Sequence, residues 1–268
     1  MAKVNVRTVQ CIQLEMLKFI AKICDDHNIR YYLARGTLLG AAHCKGFLRW
    51  DDDLDIQIPR PDYEKLMEVL SQSTLPETLE FSSLGMSTHH LPYTKIYFRN
   101  SRVLEKKLEK CFRESKIWID VFPLDGLPSN LLVRNWRYFL VKQMRNFLYT
   151  GIVDPDEVEG FQRIGVIVLK PIAKAFGIHR IAYHIDRFAR RTDFASSEVV
   201  GNLCWARTSK DALEKSKYLP VVELQFEKSH FHAPQGYEEH LRKMYGQFNP
   251  ELSSEKQAIH SLGEYYVV

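Results

Sequence analysis

The 268-residue sequence lacks any long apolar run. A helix that spans a bilayer takes about 20 apolar residues. The densest apolar stretch, Ile164 to Leu169, is much shorter, and we interpret it as a core segment. The N-terminal residues also lack the apolar region of a secretory signal. These absences favour a cytoplasmic protein that would reach a membrane substrate by peripheral contact with the inner face of the plasma membrane.

Paired cysteines and a strong excess of one charge are absent too. The five cysteines form no C-x-x-C pair, and the ten histidines show no metal-ligand spacing. We therefore expect neither a disulfide framework nor a zinc site, and we expect the protein to occupy a reducing compartment. The formal net charge of +4 mildly favours anionic ligands but is too small to predict a nucleic-acid partner.

The order of the local patterns predicts an α+β fold. Residues 7–25 have the apolar spacing of an amphipathic helix. A short strand at 31–34, closed by Gly36, precedes a short helix capped by Thr37, and the alternation over 53–58 predicts a half-buried strand. We expect a helix from Pro61, strands near 79–84, 93–99 and 116–122, helices at 129–150, 161–176, 179–191 and 235–246, and extended segments at 199–205 and 218–227.

This order divides the chain into two parts. We predict an α+β catalytic core over residues 1–127. A more helical, mixed region over residues 128–268 would complete the substrate site, although no flexible linker marks the boundary.

The most informative pattern is Asp51-Asp52-Asp53-Leu54-Asp55. Side chains at i and i+2 of a strand share a face, so Asp53 and Asp55 should converge, with Asp51 beside them and Asp52 pointing away. Two carboxylates this close repel unless a cation lies between them. Mg²⁺, with Mn²⁺ as an alternative, suits such a site when phosphates complete its coordination. A solvated acidic loop and a calcium loop remain alternatives, although the Gly and distal Glu of an EF-hand are missing.

A glycine-containing segment, Gly36-Thr37-Leu38-Leu39-Gly40, precedes these acids. Glycine at a strand-to-helix turn lets backbone N–H groups approach a phosphate, and a helix N-terminus favours negative charge. We therefore expect Gly36 and Thr37 to bind substrate phosphate beside the metal. An ordinary Gly-Thr turn is the alternative.

Asp120 lies in the apolar segment Trp118-Ile119-Asp120-Val121-Phe122. A carboxylate among apolar residues is costly unless it is paired or binds a metal. Asp120 is therefore a candidate third metal ligand or a general base for an acceptor hydroxyl, and an aspartate bonded to backbone at a strand end is the alternative. Asp125, in Pro-Leu-Asp-Gly, is interpreted as a turn residue.

Together these segments resemble the LicD family. The resemblance is carried by the runs Gly36 to Ala41, Lys45 to Phe47, Trp50 to Ile56 and Ile119 to Gly126. Looser similarity near the C-terminus involves Phe231, Pro234, Tyr237, Leu241, Tyr245-Gly246 and His260. His43, Cys44 and Arg49 stand where the family pattern has Arg, His and Pro. These departures spare the acids and concern the choice of substrate.

LicD proteins are phosphocholine transferases of the nucleotidyltransferase superfamily, and the related fukutin-type proteins transfer ribitol phosphate. The resemblance implies a nucleotidyltransferase-fold mixed sheet with helices packed on it. It also implies CDP-choline or a similar CDP-alcohol as donor, and a teichoic acid or lipopolysaccharide precursor, often lipid-linked, as acceptor. Asp53, Asp55 and Asp120 would then hold the metal during an in-line displacement at phosphorus that releases CMP.

Two other functions stay open at this point. A nucleotidyltransferase that moves a nucleoside monophosphate from an NTP would use the same acids, as would transfer of ethanolamine, glycerol or ribitol phosphate from a CDP derivative. A non-catalytic binding module is the third hypothesis. It gives no reason to keep a repulsive cluster at residues 53, 55 and 120.

Several residues are weaker candidates for substrate contact. Lys45, Arg60 and Lys95 could neutralise phosphate or simply balance nearby acids. Trp50 could contribute to an aromatic cage around choline, as could Tyr93, Tyr97, Trp118 and Phe122, although each also suits a core. The helix at 129–150 mixes basic and aromatic residues, which fits either a membrane interface or a core helix with a solvated basic face.

Overall fold

The chain folds around a nine-stranded mixed sheet. The computed structural model describes residues 1–73, 75–86, 89–105, 107–205, 208–246 and 263–268. His260 lies outside these ranges. The sheet strands are β1 (Ala2–Val4), β2 (Tyr32–Leu33), β3 (Asp55–Pro59), β4 (Leu79–Ser82), β5 (Thr94–Glu105), β6 (Glu114–Leu127), β7 (Val199–Gly201), β8 (Leu213–Glu214) and β11 (Gly263–Val267), and a separate hairpin contains β9 (Val221–Phe226) and β10 (Ser229–Pro234).

The strand order brings three charged residues to one level of the sheet. The order is β1-β11-β5-β6-β3-β2, and β3 and β6 are parallel, whereas β5 runs antiparallel to β6. Asp120 of β6 is the register partner of Asp55 on β3 and of Lys95 on β5. Strands from both parts of the chain belong to this sheet, because β7 pairs with the end of β6 and β11 lies between β1 and β5.

Helices cover the sheet and form a further layer beside it. They are α1 (Val6–Asp26), α2 (Arg35–Cys44), α3 (Arg60–Gln72), α4 (Lys110–Arg113), α5 (Leu131–Ile152), α6 (Gly160–Phe176), α7 (Ile178–Ala189) and α8 (Tyr237–Tyr245). The predicted α+β class is confirmed, as are the helices expected at 7–25, 129–150, 161–176, 179–191 and 235–246. Among the described residues, none of these helices has the length and apolar character needed to cross a bilayer.

Helix α1 shows how the main core forms. Asn5 caps its N-terminus by accepting a hydrogen bond from the Thr8 N–H, which satisfies one of the free donors of the first turn. Leu17 and Ile20 are fully buried on the face that packs against the sheet. Burial of each such side chain contributes about 1.5–3 kcal/mol, so the apolar stripe read from the sequence is what fixes α1 over β6.

The structure corrects two predicted elements near the acids. Strand β3 is buried on both faces, including Gln57, because α2 and α3 pack against it and β2 and β6 flank it. The half-buried prediction was therefore wrong. Helix α2 begins at Arg35 after Ala34, so Thr37 lies in its first turn and does not cap it.

The apolar run from Ile164 to Leu169 is also not the core segment that we expected. It lies in α6, where Val166 is buried but Ile164 and Val168 are 59% and 58% exposed. The apolar residues of this run point to several sides of α6. Neighbouring helices cover one side only, so the others stay exposed. The predicted division at residues 127 and 128 stays a prediction.

Candidate active site

The acidic segment lies where α1, α2 and the central strands meet. Asp51, Asp52 and Asp53 each place a carboxylate oxygen within 4.8 Å of the other two. Asp53 lies in the loop before β3, and Asp55 is the first residue of that strand. Pairing with β6 begins one residue earlier, since the Asp120 N–H donates to the Leu54 carbonyl. Asp52 does not point away from its neighbours as predicted, because its carboxylate belongs to this group and also accepts a hydrogen bond from the Tyr265 hydroxyl of β11.

Two glutamines of α1 hold the backbone of this segment. The Gln10 side-chain amide donates to the carbonyls of Leu48 and Asp51, at 3.0 and 2.8 Å. The Gln13 amide donates to the carbonyls of Asp52 and Trp118, at 2.8 and 3.0 Å. Because both side chains are buried, these bonds replace the ladder bonds that the loop does not make, and they link it to α1 and β6.

Helix α2 positions two of the carboxylates. The Thr37 hydroxyl accepts the Asp55 N–H at 2.8 Å, which fixes the start of β3. Asp51 approaches Gly36 so closely that a Cβ atom at Gly36 would lie 2.4 Å from an Asp51 carboxylate oxygen. Gly36 and Thr37 thus have structural uses in the acidic site. Phosphate contact by their backbone stays a prediction.

The electrostatics of the cluster fit a bound divalent cation. Burial, followed by the nearby carboxylates of Asp55, Asp52 and Asp120, raises the pKa of Asp53 well above its usual value. Burial is also the main cause that raises the pKa of Asp55 to about 8 and of Asp51 to about 7. One Asp53 oxygen, Oδ1, is buried with no hydrogen-bond partner among the described residues. A hard cation would compensate this repulsion, and carboxylate oxygens are the ligands it prefers.

Lys95 and Asp120 form a buried ion pair beside the cluster. The distance between Lys95 Nζ and Asp120 Oδ1 is 3.0 Å, and Nζ also lies 3.8 Å from the centre of the Trp118 ring. Burial would lower the pKa of Lys95, but Asp120, Tyr97 and Glu105 raise it above the usual range. Lys95 is therefore charged, and it adds one positive charge to a site dominated by acids.

Arg35 is a candidate that the sequence interpretation missed. It starts α2 with a φ of 50°, a left-handed conformation that is uncommon for a residue other than glycine. Its guanidinium carbon lies 3.9 Å from the centre of the Phe122 ring. Burial would lower the pKa of Arg35, but Asp55 and Asp211 raise it. Within the described ranges no carboxylate lies within 4.0 Å of this guanidinium, so its donors remain available for an anion. The unusual backbone could not be read from Ala-Arg-Gly-Thr.

Arg60, in contrast, is occupied by protein carboxylates. Its Nε donates to Asp125 at 2.7 Å and its Nη1 donates to Asp186 of α7 at 2.8 Å, and all three residues are buried. Asp125 lies within β6, so its interpretation as a turn residue was wrong. This triad ties the start of α3 to β6 and α7. It gives Arg60 a structural role, and we leave it out of the proposed substrate site.

The two remaining residues predicted to contact substrate, Lys45 and Trp50, differ in their exposure to solvent. Lys45 is exposed at the C-terminal end of α2, and Trp50 is partly buried against the main core. Asp53 thus lies with Asp51 and Asp52, whereas Asp55, Asp120 and Lys95 are register partners on adjacent strands and Arg60 belongs to a separate buried triad.

An aromatic cluster lies next to Lys95 and Asp120. Tyr93 contacts Phe122 and Trp205, with ring centres 4.5 and 4.9 Å apart, and Trp205 contacts Tyr149 of α5 at 5.5 Å. The charges of Asp120 and Lys95 both act on the ionisation of Tyr149. Two of these rings, Tyr149 and Trp205, come from the helical half and were not among the aromatic residues considered from the sequence.

The sequence is similar to known proteins over segments of different length. Residues 28–128, which include Asp51, Asp52, Asp53, Asp55 and Asp120, match the LicD/FKTN/FKRP nucleotidyltransferase domain. Over its whole length the chain is 24% identical to the lipopolysaccharide cholinephosphotransferase LicD of Haemophilus influenzae, and the match covers 100% of both proteins.

Two further relatives match over shorter segments. An uncharacterised protein of Rickettsia prowazekii is 38% identical over 48% of this chain and 44% of its own length. One of Rickettsia typhi is 35% identical over 31% of this chain and 23% of its own length.

Proposed function

We propose that this chain, which belongs to the LicD family, transfers phosphocholine from CDP-choline to a hydroxyl group of a cell-surface glycan precursor. The observation that carries the proposal is the close group of Asp51, Asp52 and Asp53, with Asp55 and Asp120 near enough to act on the Asp53 charge, inside the segment that matches the family domain. The full-length relative, a lipopolysaccharide cholinephosphotransferase, supports phosphocholine as the transferred group and a glycan of the lipopolysaccharide type as the acceptor.

We assign the metal site to Asp53, Asp55 and Asp120, with Mg²⁺ as the ion and Mn²⁺ as a substitute. The orphaned Asp53 oxygen and the raised pKa values of Asp53 and Asp55 support this assignment. When bound, the cation neutralises charge on the donor diphosphate. Lys95 orients Asp120 through its ion pair.

The protein's own cations then hold the donor. Arg35, beside Asp55 and above the Phe122 ring, offers a guanidinium that matches the geometry of a phosphate. The acceptor oxygen forms a bond to the phosphorus of phosphocholine, and the bond between this phosphorus and the bridging oxygen breaks. The electron pair leaves with CMP, and the proton of the acceptor hydroxyl passes to a carboxylate of the cluster.

For the choline group we propose the aromatic cluster of Tyr93, Tyr149 and Trp205. A quaternary ammonium is attracted to the faces of aromatic rings. Tyr149 is 42% exposed, whereas Tyr93 is buried, so Tyr149 is the member that an entering head group can reach. The cluster adjoins Lys95 and Asp120, so the phosphate and the head group would have neighbouring sites.

The test is a transfer reaction with purified protein, CDP-choline, Mg²⁺ and a lipopolysaccharide that lacks phosphocholine. We expect mass spectrometry to show the acceptor gaining one phosphocholine as CMP appears. Parallel reactions contain CDP-ethanolamine, CDP-glycerol, CDP-ribitol or CTP, and one set contains a teichoic acid as acceptor. Transfer from another CDP-alcohol would replace phosphocholine in the proposal, and pyrophosphate release from CTP would favour a nucleotidyltransferase. No transfer under any condition would contradict the proposal.

A further inference from the structure

Helix α6 exposes an apolar surface that the fold does not use. It buries only Val166, Lys170 and Ala173 against the rest of the described chain. Its exposed apolar side chains include Phe161, Ile164, Ile167, Val168, Ile172 and Phe176, and Phe161 is 92% exposed. A contiguous apolar surface of this kind is uncommon on a soluble monomer and marks a contact with a partner or a membrane.

The two neighbouring helices also expose apolar side chains. On α5, Trp136 and Phe139 are exposed and stack with ring centres 5.8 Å apart. A groove of about 510 Å³ runs between α5, α6 and α7, where the rings of Phe147, Phe176 and Phe188 line it. None of its lining residues belongs to the carboxylate site.

Positive charge surrounds this apolar surface. Residues 131–191 contain eleven Arg or Lys and five Asp or Glu, a formal balance of +6, whereas the whole chain has +4. Arg187 and Arg191 line the groove beside Phe176, and both are exposed. In the described part of the chain no carboxylate lies within 4.0 Å of either guanidinium. Unpaired cations beside exposed apolar residues are the combination by which interfacial helices bind anionic lipids.

We propose that α6, with the adjoining faces of α5 and α7, docks on the surface of a bilayer that contains anionic phospholipid. The helix would lie in the plane of the interface, since its 17 residues include Arg163, Lys170 and Lys174. A second copy of the chain is a poorer occupant, because a symmetric contact would place the unpaired Arg187 and Arg191 of one copy close to those of the other. The inference does not depend on the reaction proposed above.

The helical layer that would touch the membrane also borders the active site. Tyr149 of α5 contacts Trp205, and the charges of Lys95 and Asp120 act on Tyr149. A protein docked through these helices would keep its site close to the bilayer surface, where a lipid-carried acceptor is held.

The experiment is co-sedimentation of the purified protein with vesicles of phosphatidylcholine, with and without phosphatidylglycerol. We expect binding to vesicles that contain phosphatidylglycerol, with weaker binding at high salt. The double variant Ile164→Glu/Val168→Glu should bind about tenfold more weakly, because it puts two charges where apolar side chains would enter the interface. Both positions are exposed, so the variant should unfold at the same temperature as the parent. The matched control is Val268→Glu, at an exposed residue far from α6 in sequence.

Charge and self-association are tested in the same series. Arg187→Glu/Arg191→Glu should lower binding to phosphatidylglycerol vesicles without changing gel-filtration behaviour. Failure of the parent to bind vesicles, or equal binding by the Ile164→Glu/Val168→Glu variant, would overturn the proposal. A parent dimer that this variant converts to a monomer would assign the surface to a second copy instead.

Discussion

At the scale of single residues, Asp53 has conflicting effects on stability and on ligand binding. Its buried Oδ1 has no hydrogen-bond partner in the described structure, and burial together with Asp55 raises its pKa. A charge in this position destabilises the folded protein unless a cation compensates it. The residue therefore serves binding at the expense of stability.

We predict that Asp53→Asn separates the two effects. Without divalent cations, its free energy of unfolding should equal or exceed that of the parent, because the substitution removes a repulsive charge. Transfer activity should fall by about two orders of magnitude or more, since several kcal/mol of charge stabilisation are lost. Urea unfolding in EDTA and initial rates measure the two. Asp26→Asn, at an exposed ion pair, is the control, and a strongly destabilised Asp53→Asn would contradict this account.

Substitution of Arg60 should affect stability, whereas substitution of Arg35 should affect donor binding. Arg60→Met breaks a buried triad, and leaving Asp125 and Asp186 unpaired should lower the free energy of unfolding by about 3–5 kcal/mol. Arg35→Met removes a guanidinium that has no carboxylate within 4.0 Å in the described structure, so stability should change little while KM for the donor rises. Denaturant unfolding and donor titrations test both variants. If Arg35→Met left KM unchanged, Arg35 would have no part in donor binding.

At the scale of elements, α1 supports the catalytic loop through polar bonds inside an apolar interface. The Gln13 amide joins Asp52 to Trp118, and so connects the loop to strand β6. Both carbonyls would lose this donor if the amide were removed. The apolar face of α1 and the two glutamines therefore have separate tasks, one in packing and one in holding the acids.

Gln13→Leu tests this division. The variant keeps the volume of the side chain but leaves two buried carbonyls unsatisfied, so we expect a loss of about 1–3 kcal/mol in unfolding free energy. Activity should fall as well, because the acidic loop loses its link to β6. Chemical denaturation and initial rates measure the effects, with exposed Gln72→Leu as the control. Full activity in a destabilised Gln13→Leu would show that the loop holds its place without this bond.

The connection before β5 depends on a neutral histidine. His89 Nε2 donates to the Tyr93 carbonyl at 2.7 Å, and the Ser82 hydroxyl donates to Nδ1 at 2.8 Å. Burial lowers the pKa of His89 to about 4 from an ordinary 6.5. The unfolded chain therefore takes up a proton at a higher pH than the folded protein does. The stability that this residue contributes is present above pH 6.5 and is lost as the pH falls towards 4.

His89→Gln should remove this part of the pH dependence. We expect its free energy of unfolding to change less than that of the parent between pH 6.5 and 4.5, as measured by urea unfolding at several pH values. His230→Gln, at an exposed position, should keep the parental profile. Parallel profiles for the parent and His89→Gln would show that His89 is not the titrating group.

At the scale of the whole molecule, local sequence patterns predicted where helices and strands occur. They did not predict which of these elements pack against each other. The spacing of apolar residues was enough for α1 and for α5 to α7, and the alternating segment led correctly to the central strand. The same patterns could not show that β3 is covered on both faces or that α6 is covered on one side only. Whether a face is covered depends on which elements pack against it, and a local period carries no such information.

The acids could be predicted from the sequence, whereas several residues around them could not. Asp52 meets Tyr265 across 213 positions, and Arg60 meets Asp186 across 126. Contacts between such distant positions leave no local signal. Gln10 and Gln13 did leave one, since two amides on the apolar face of an amphipathic helix must find partners inside the protein.

The most direct test of the central claim is a calorimetric titration of CDP-choline into the purified protein, with and without Mg²⁺. We claim that the carboxylate cluster binds this donor through a divalent cation. The parent should therefore bind CDP-choline at least about tenfold more tightly with Mg²⁺ than in EDTA, and Asp53→Asn should lose that difference. Equal affinity in Mg²⁺ and EDTA, or an Mg²⁺ effect that survives in Asp53→Asn, would contradict the claim.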